Sequence, residues 1–152
     1  MIANVQVERN AVVGFRGYLL TLSNKYKPSS YIEQYPLGRY YLATCSFLEV
    51  VREISDNAEL ECVLLGKVVD VDYPLLSAKE ICLKILQSSN NGLQEAIKVL
   101  DTIAGRYVVL VRIKANVYVL NDATGMKQVA YSIDCNEVSS HPILIYLSLI
   151  HI

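Results

Sequence analysis

The chain has 152 residues and a mass of 17.0 kDa, enough for one domain with a substantial hydrophobic core. Hydrophobic residues make up 53% and charged residues 19%, and 14 Lys and Arg against 15 Asp and Glu leave a formal charge of −1. This composition excludes a disordered tail and argues against a nucleic-acid-binding protein, which needs surplus positive charge to neutralise phosphates. The longest apolar stretch, residues 143–152, is too short for a membrane-spanning helix of about 20 residues.

The cysteines are dispersed, with no CxxC pair, at Cys45, Cys62, Cys82 and Cys135. The pattern predicts reduced, mostly buried thiols in a cytoplasmic protein. A zinc site is one alternative, but zinc ligands usually come in closely spaced pairs, and both histidines lie far from the first three cysteines. A thiol and base formed by Cys135 and His141 is a second alternative, although a separation of six residues fixes no geometry.

Strand-like patterns dominate the first half of the chain. Residues 11–22 are rich in β-branched and aromatic side chains, which favours a strand. Residues 24–38 are predicted to form a loop because two prolines and Gly38 interrupt them. Three further strands are predicted at residues 39–45, 47–54 and 60–71, with a turn at residues 55–57 between the last two.

The hydrophobic period changes at Ser77 from two to about 3.6 residues, which indicates helices. Ser77 and Glu80 form a capping-box pattern, in which each side chain accepts a hydrogen bond from the other residue's backbone amide. A second amphipathic helix is predicted over residues 92–104, ended by Gly105. The core is expected to receive two apolar stripes, formed by Ile81, Cys82, Ile85 and Leu86 and by Leu93, Ala96, Ile97, Leu100 and Ile103.

Strand patterns return after the helices. Residues 106–113, apolar on both faces, are predicted to form a central strand that makes a hairpin with residues 116–120. A turn at residues 122–125, with the Asp122 side chain accepting from backbone amides, precedes a last strand at residues 128–133. Strands, two adjacent helices and strands again predict an α+β fold with antiparallel pairing rather than a Rossmann sheet.

The segment from Leu100 to Tyr131, LDTIAGRYVVLVRIKANVYVLNDATGMKQVAY, resembles the last part of the glutaminase domain of class II glutamine amidotransferases, in the asparagine synthetase family. The matching positions are Gly105, Tyr107, Asp122, Gly125 and Tyr131. Residues 64–68 resemble the family's Asn-Gly-Glu strand, and residues 77–81 resemble the start of its helix. The resemblance implies a four-layer αββα sandwich of the N-terminal-nucleophile hydrolases, here incomplete, over residues 1–146.

The resemblance also implies where catalysis would reside. The family uses an N-terminal cysteine whose α-amino group serves as the base, whereas this sequence begins Met1-Ile2, so no catalytic residue is expected. The positions that hold glutamine in the family carry degenerate equivalents, namely Leu65 for asparagine, Lys67 for glutamate and Ala78 for aspartate, while Gly66 is retained. Glutamine hydrolysis is therefore not expected, and no metal or cofactor is implied.

Other motifs have plain structural interpretations. Gly66 and Lys67 lack the upstream glycine and the following Ser or Thr of a phosphate-binding loop. Asp70 and Asp72 are candidates for acid–base or metal chemistry, but their position before a capped helix is more typical of a loop. The tyrosines, including Tyr40, Tyr41, Tyr107 and Tyr118, are expected to form half-buried sheet faces, with a ligand groove as the alternative.

The last six residues, 147–152, resemble the translation of a transposon mosaic end used as a sequencing adapter, and are interpreted as a non-native tail. The leading hypothesis is a catalytically degenerate, C-terminally truncated glutaminase-like domain that organises an ATP-dependent synthetase domain, its expected partner. The alternatives are an active glutaminase domain with a misassigned start, and a free-standing ligand-binding or dimerising module. Neither nucleic acid nor a membrane is an expected partner.

Overall fold

A computed structural model of the chain describes residues 17–22 and 31–142. Within these residues the protein is α+β, with two antiparallel sheets and two helices. The strands are β1 (Tyr18–Thr21), β2 (Tyr31–Leu37), β3 (Tyr40–Cys45), β4 (Val50–Ile54), β5 (Leu60–Asp70), β6 (Ile103–Ile113), β7 (Asn116–Asn121), β8 (Ala130–Ser132) and β9 (Glu137–Ser139). The helices are α1 (Ala78–Ser89) and α2 (Leu93–Leu100). The predicted α+β class with antiparallel pairing is confirmed.

The chain divides into two compact units, of which the first contains Met1–Leu48 and Gln128–Ile152. Its described part is a five-stranded sheet with the strand order β2-β3-β1-β9-β8. The short β1 is central and fully buried, and it pairs antiparallel with β3 on one side and with β9 on the other. The Ser140 hydroxyl accepts from the Tyr18 backbone amide at 3.0 Å, which joins two segments 122 residues apart.

The second unit, Glu49–Lys127, is a four-stranded sheet in the order β4-β5-β6-β7 that carries α1 and α2. Its centre is the β5–β6 pair, which keeps one register over eleven residue pairs from Leu60–Ile113 to Asp70–Ile103. Alternate side chains of these strands pack with the buried stripe of α1 and with Ala96 of α2. On the opposite face of the pair, Val63, Leu65, Val108 and Leu110 are buried as well, so the predicted central position of β6 is confirmed.

The predicted loop over residues 24–38 is wrong in its second part, because residues 31–37 form β2. A proline is tolerated here since β2 is the edge strand of its sheet, where Pro36 costs no ladder hydrogen bond with an outer neighbour. Residues 11–16 and 24–30 of the predicted strand and loop lie outside the described residues. The strand predicted to start at residue 47 starts at Val50, after a turn in which the Leu48 amide donates to the Cys45 carbonyl.

The second helix is four residues shorter than predicted at its C-terminus, and Gly105 does not end it. Helix α2 stops at Leu100, and Ile103 and Gly105 belong to β6, where they pair with Asp70 and Val68. Strand pairing along the whole length of β5 thus outweighs the local helical pattern. The last predicted strand is likewise shortened to Ala130–Ser132, and β9, which pairs with it, was not predicted.

Neither described helix has the length and apolar character that a transmembrane span requires. The predicted hairpin is confirmed, since Lys114 and Ala115 form the two-residue connection between the paired residues Ile113 and Asn116. Lys114 adopts a left-handed backbone conformation with φ 56°. The interpretation of residues 147–152 as a non-native tail falls outside the described residues.

Candidate functional site

The positions that the resemblance matches to substrate recognition lie in β5 and at the start of α1. Leu65 is fully buried in the middle of β5, opposite Val108 of β6. Lys67 lies two residues further along, with 66% of its side chain exposed, and its ammonium group is 3.4 Å from the Glu49 carboxylate. These positions therefore offer an apolar side chain and an exposed cation, instead of an amide and a carboxylate.

Gly66 lies between them at a point where the β5 and β6 backbones approach too closely for a side chain. Its φ is +111°, and a Cβ there would lie 2.3 Å from the Arg106 carbonyl oxygen. Gly105 shows the reciprocal situation, with φ +140° and a Cβ position 2.1 Å from the Lys67 carbonyl oxygen. Both glycines are therefore required by the strand pair itself, which is a sufficient reason for their presence without a ligand.

Ala78 is the first residue of α1, and the capping box predicted before it is present. The Glu80 amide donates to the Ser77 hydroxyl at 3.3 Å, and the Ser77 amide donates to the Glu80 carboxylate at 2.7 Å. Hydrogen bonds from the Ser77 hydroxyl and amide lower the pKa of Glu80. The Ala78 methyl group provides no polar atom at the helix start, so the matched position has no group that recognises an ammonium ion.

Asp70, a candidate for acid–base chemistry, is fully buried at the end of β5 and is saturated by structural contacts. One carboxylate oxygen accepts from the amides of Asp72 and Tyr73, and the other is 2.7 Å from the Lys84 ammonium group. The hydrogen bond from Lys84 lowers the pKa of Asp70, and the two backbone amides lower it further against the effect of burial. Asp70 therefore anchors α1 to the turn after β5 and does not pair with the Asp72 carboxylate.

A second buried carboxylate, Glu61, lies at the opposite end of β5. The sequence patterns did not identify it as a candidate residue. It is 3% exposed and forms ion pairs with Arg52 of β4 and Arg112 of β6, the latter at 3.2 Å. Arg112 also donates to the carbonyls of Ala58 and Lys114, at 2.9 and 3.0 Å. The available signal was the lone charge in the otherwise apolar run of residues 60–66, since a buried carboxylate requires cationic partners.

Asp122 shapes the loop after β7 as predicted. Its carboxylate accepts from the amides of Thr124, Met126 and Lys127 at 2.9 to 3.1 Å, and from the Thr124 hydroxyl at 2.7 Å. Burial alone would raise the pKa of Asp122, but these hydrogen bonds outweigh it and lower the pKa to about 2. Gly125, with φ +63°, completes the turn by donating its amide to the Asp122 carbonyl at 2.9 Å.

The tyrosines occupy separate environments. Tyr107 is buried opposite Gly66, its hydroxyl donates to the Ile103 carbonyl at 3.4 Å, and burial raises its pKa. Tyr131 is 70% exposed on β8. Tyr40 and Tyr41 on β3 and Tyr118 on β7 are half-buried, as the interpretation as sheet faces predicts.

The four cysteines are free thiols, with Cys45, Cys62 and Cys82 buried and Cys135 half-buried. The Cys82 thiol donates to the Cys62 carbonyl at 3.4 Å, and a hydrogen bond with the Cys82 side chain, together with burial, raises the pKa of Cys62 well above its usual value. A raised pKa disfavours the thiolate that a nucleophile needs. In residues 17–22 and 31–142, no group of three or more His, Cys, Asp or Glu side chains is arranged to hold a metal ion.

Ser140 and His141 are in contact, at 2.8 Å between the Ser140 hydroxyl oxygen and His141 Nδ1. The Ser140 hydroxyl also contacts the Tyr18 amide and carbonyl, and its residue is 3% exposed. This hydroxyl therefore joins β1 to the residue that follows β9, at the end of the β1–β9 pairing. Comparison with family models, curated proteins and solved structures found no match to this chain.

Proposed function

We propose that this chain is a catalytically degenerate glutaminase-like domain of an asparagine-synthetase-like protein, in which it packs against and organises an ATP-dependent synthetase domain. The observation that carries the proposal is the chemistry at the matched recognition positions. Leu65 is apolar and buried, Lys67 is an exposed cation, and Ala78 has no polar side chain. A site that binds glutamine through polar partners loses most of its affinity when those partners are absent.

Three local features support the resemblance beneath the proposal. Helix α1 starts with a capping box at the matched position. Gly66 lies where the β5 and β6 backbones leave no room for a side chain, and Asp122 and Gly125 form a hydrogen-bonded turn. The α+β content of two antiparallel sheets and two helices agrees with an incomplete four-layer sandwich of the N-terminal-nucleophile hydrolases. The proposal includes that architecture and a cytoplasmic location, which the four free cysteines favour.

Loss of glutaminase activity is tested by incubating the purified chain with L-glutamine and following ammonia release. The rate is expected to equal that of a blank without protein. Any turnover above the blank contradicts the proposal. The variants Cys45→Ala and Cys135→Ala then show whether such turnover depends on either of these thiols.

The organising role is tested by mixing the chain with an ATP-dependent synthetase domain of the asparagine synthetase family and measuring their elution in size-exclusion chromatography. Co-elution as a stoichiometric complex is the expected result. Separate elution contradicts the role, and self-association of the chain without binding would favour the dimerising module instead.

A further inference from the structure

One face of the β5–β6 pair is turned away from the helices. Cys62 and Leu64 of β5, with Val109 and Val111 of β6, belong to the core that includes α1 and α2. Because side chains alternate along strands, the residue pairs between them face the other way. In order along the strands, these pairs are Glu61–Arg112, Val63–Leu110, Leu65–Val108 and Lys67–Arg106.

The charged pairs at the two ends of this row differ in composition: one joins an anion to a cation, and the other joins two cations. Glu61 and Arg112 are opposite charges and form a buried ion pair at 3.2 Å. Lys67 and Arg106, six residues along each strand and in the same register, are two cations directly opposite each other. Directly opposed residues have Cβ atoms about 5 Å apart, and like charges at that separation repel each other. The uninterrupted register thus places the two cations at directly opposed positions of β5 and β6.

The contacts around this cationic pair leave its charge largely uncompensated. Lys67 lies 3.4 Å from Glu49, but both side chains are more than half exposed, so solvent weakens their attraction. The Arg106 guanidinium donates at 3.4 Å to the Met126 carbonyl, and within residues 17–22 and 31–142 it has no carboxylate at ion-pair distance. Gly105, next to Arg106, is exposed and adds no side chain that would cover the pair.

We infer that Lys67 and Arg106 together bind a small molecule through an oxyanion group, either phosphate or carboxylate. A guanidinium presents paired N–H donors to two oxygens of such a group, and an ammonium opposite it supplies a second charge. The neighbouring pair Leu65–Val108 is fully buried and limits the site on one side. The inference depends on the β5–β6 register and not on the family resemblance, and it assigns the chain a ligand that an organising role does not require.

The test is isothermal titration of the whole chain at low ionic strength with inorganic phosphate and, separately, with succinate. The variants Lys67→Gln and Arg106→Gln should each lower the affinity for the tighter-binding anion by about tenfold or more, because each loses a charge-assisted hydrogen bond. Lys79→Gln is the matched control. Lys79 is similarly exposed, at 69%, and lies 3.8 Å from the Glu53 carboxylate, but it is on a helix. The control is expected to change the affinity by less than about twofold.

Absence of binding of both anions to the unmodified chain overturns the inference, as does an equal loss in Lys79→Gln, which would indicate unspecific attraction. The relative affinities of phosphate and succinate decide which oxyanion the site takes. Unfolding in urea provides a readout without ligand. Since removal of one of two repelling charges relieves strain, Arg106→Gln should keep or raise the urea midpoint, and a lowered midpoint contradicts the proposed repulsion.

Discussion

At the scale of single residues, two glycines allow the backbones of β5 and β6 to approach closely. Their role becomes apparent only when the two strands are seen paired. Gly66 and Gly105 each have a positive φ outside the range that L side chains favour, and each faces a carbonyl oxygen of the other strand. In the sequence, Gly105 resembles a helix terminator, because the residues before it follow a helical pattern. Its actual role depends on its pairing with Val68, 37 residues earlier in the chain, which no local pattern contains.

Replacement of either glycine by alanine is expected to destabilise the protein strongly. Gly66→Ala and Gly105→Ala combine backbone strain with a clash against a carbonyl oxygen, which together should cost about 3 kcal/mol or more of the free energy of unfolding. Gly92→Ala is the control, because Gly92 has φ +105° but open space around its Cβ position. It should cost about 1 to 2 kcal/mol from strain alone. Urea unfolding measures all three, and equal costs would contradict the close approach.

Asp122 makes the stability of the protein depend on pH in a predictable direction. Its pKa is about 2 in the folded protein, below the value of about 3.9 expected in an unfolded chain. The lowered pKa means that its stabilisation is complete above about pH 4 and is lost as the pH falls towards 2. The difference in unfolding free energy between the unmodified chain and Asp122→Asn should therefore shrink across this range.

Thr124→Ala supplies the control for Asp122, because it removes the hydroxyl that donates to the carboxylate at 2.7 Å and leaves the amide donors in place. It should give a smaller change with the same sign. A difference between Asp122→Asn and the unmodified chain that stays constant from about pH 6 to pH 2 would rule out the assigned hydrogen bonds as the cause.

At the scale of elements, β4, β5 and β6 are joined at one end by the ion pairs of Glu61. Glu61→Gln removes the charge and leaves Arg112, whose side chain is 12% exposed, without its carboxylate. Breaking a buried ion pair in this way should cost about 3 kcal/mol. Glu95→Gln, in an exposed pair with Lys98, should change stability by less than about 0.5 kcal/mol. Thermal unfolding of both variants checks the contrast, and similar melting temperatures would contradict it.

The start of α1 is stabilised by its N-cap residue, Ser77. Ser77→Ala removes the hydroxyl that accepts from the Glu80 amide, and a lost N-cap of this kind costs about 1 kcal/mol. Ser88→Ala is the matched control, since Ser88 lies inside α1 and only donates back to the Lys84 carbonyl. Because alanine favours helices, the control should be neutral or slightly stabilising. A cost for Ser88→Ala as large as that for Ser77→Ala would show that the cap contributes nothing specific.

Elements whose signals are local could be predicted from the sequence, and those that depend on distant pairing could not. The capped start of α1, the hairpin at residues 114–115 and the Asp122 turn are set by neighbouring residues, and all three are present. By contrast, β2 contains a proline that only its edge position permits, and the short β9 is defined by its pairing with β1 and β8. The facing of Lys67 and Arg106 likewise requires the strand register.

At the scale of the whole molecule, the proposed function rests on what the matched positions lack. Glutamine carries an ammonium, a carboxylate and an amide, and each requires a polar partner when water is displaced. Leu65 and Ala78 provide none, and Lys67 repels the ammonium group that the family's glutamate attracts. The proposed role is therefore retention of a scaffold without its original chemistry, with a cation, Lys67, where the resemblance places a glutamate.

The most direct measurement of this claim is the intact mass of the chain after incubation with 6-diazo-5-oxo-L-norleucine, a glutamine analogue that alkylates glutaminase nucleophiles after binding in the glutamine site. An active asparagine synthetase glutaminase domain treated in parallel supplies the positive control. The account predicts that the chain keeps its unmodified mass while the control is labelled. Stoichiometric labelling of the chain, suppressed by excess L-glutamine, would contradict it.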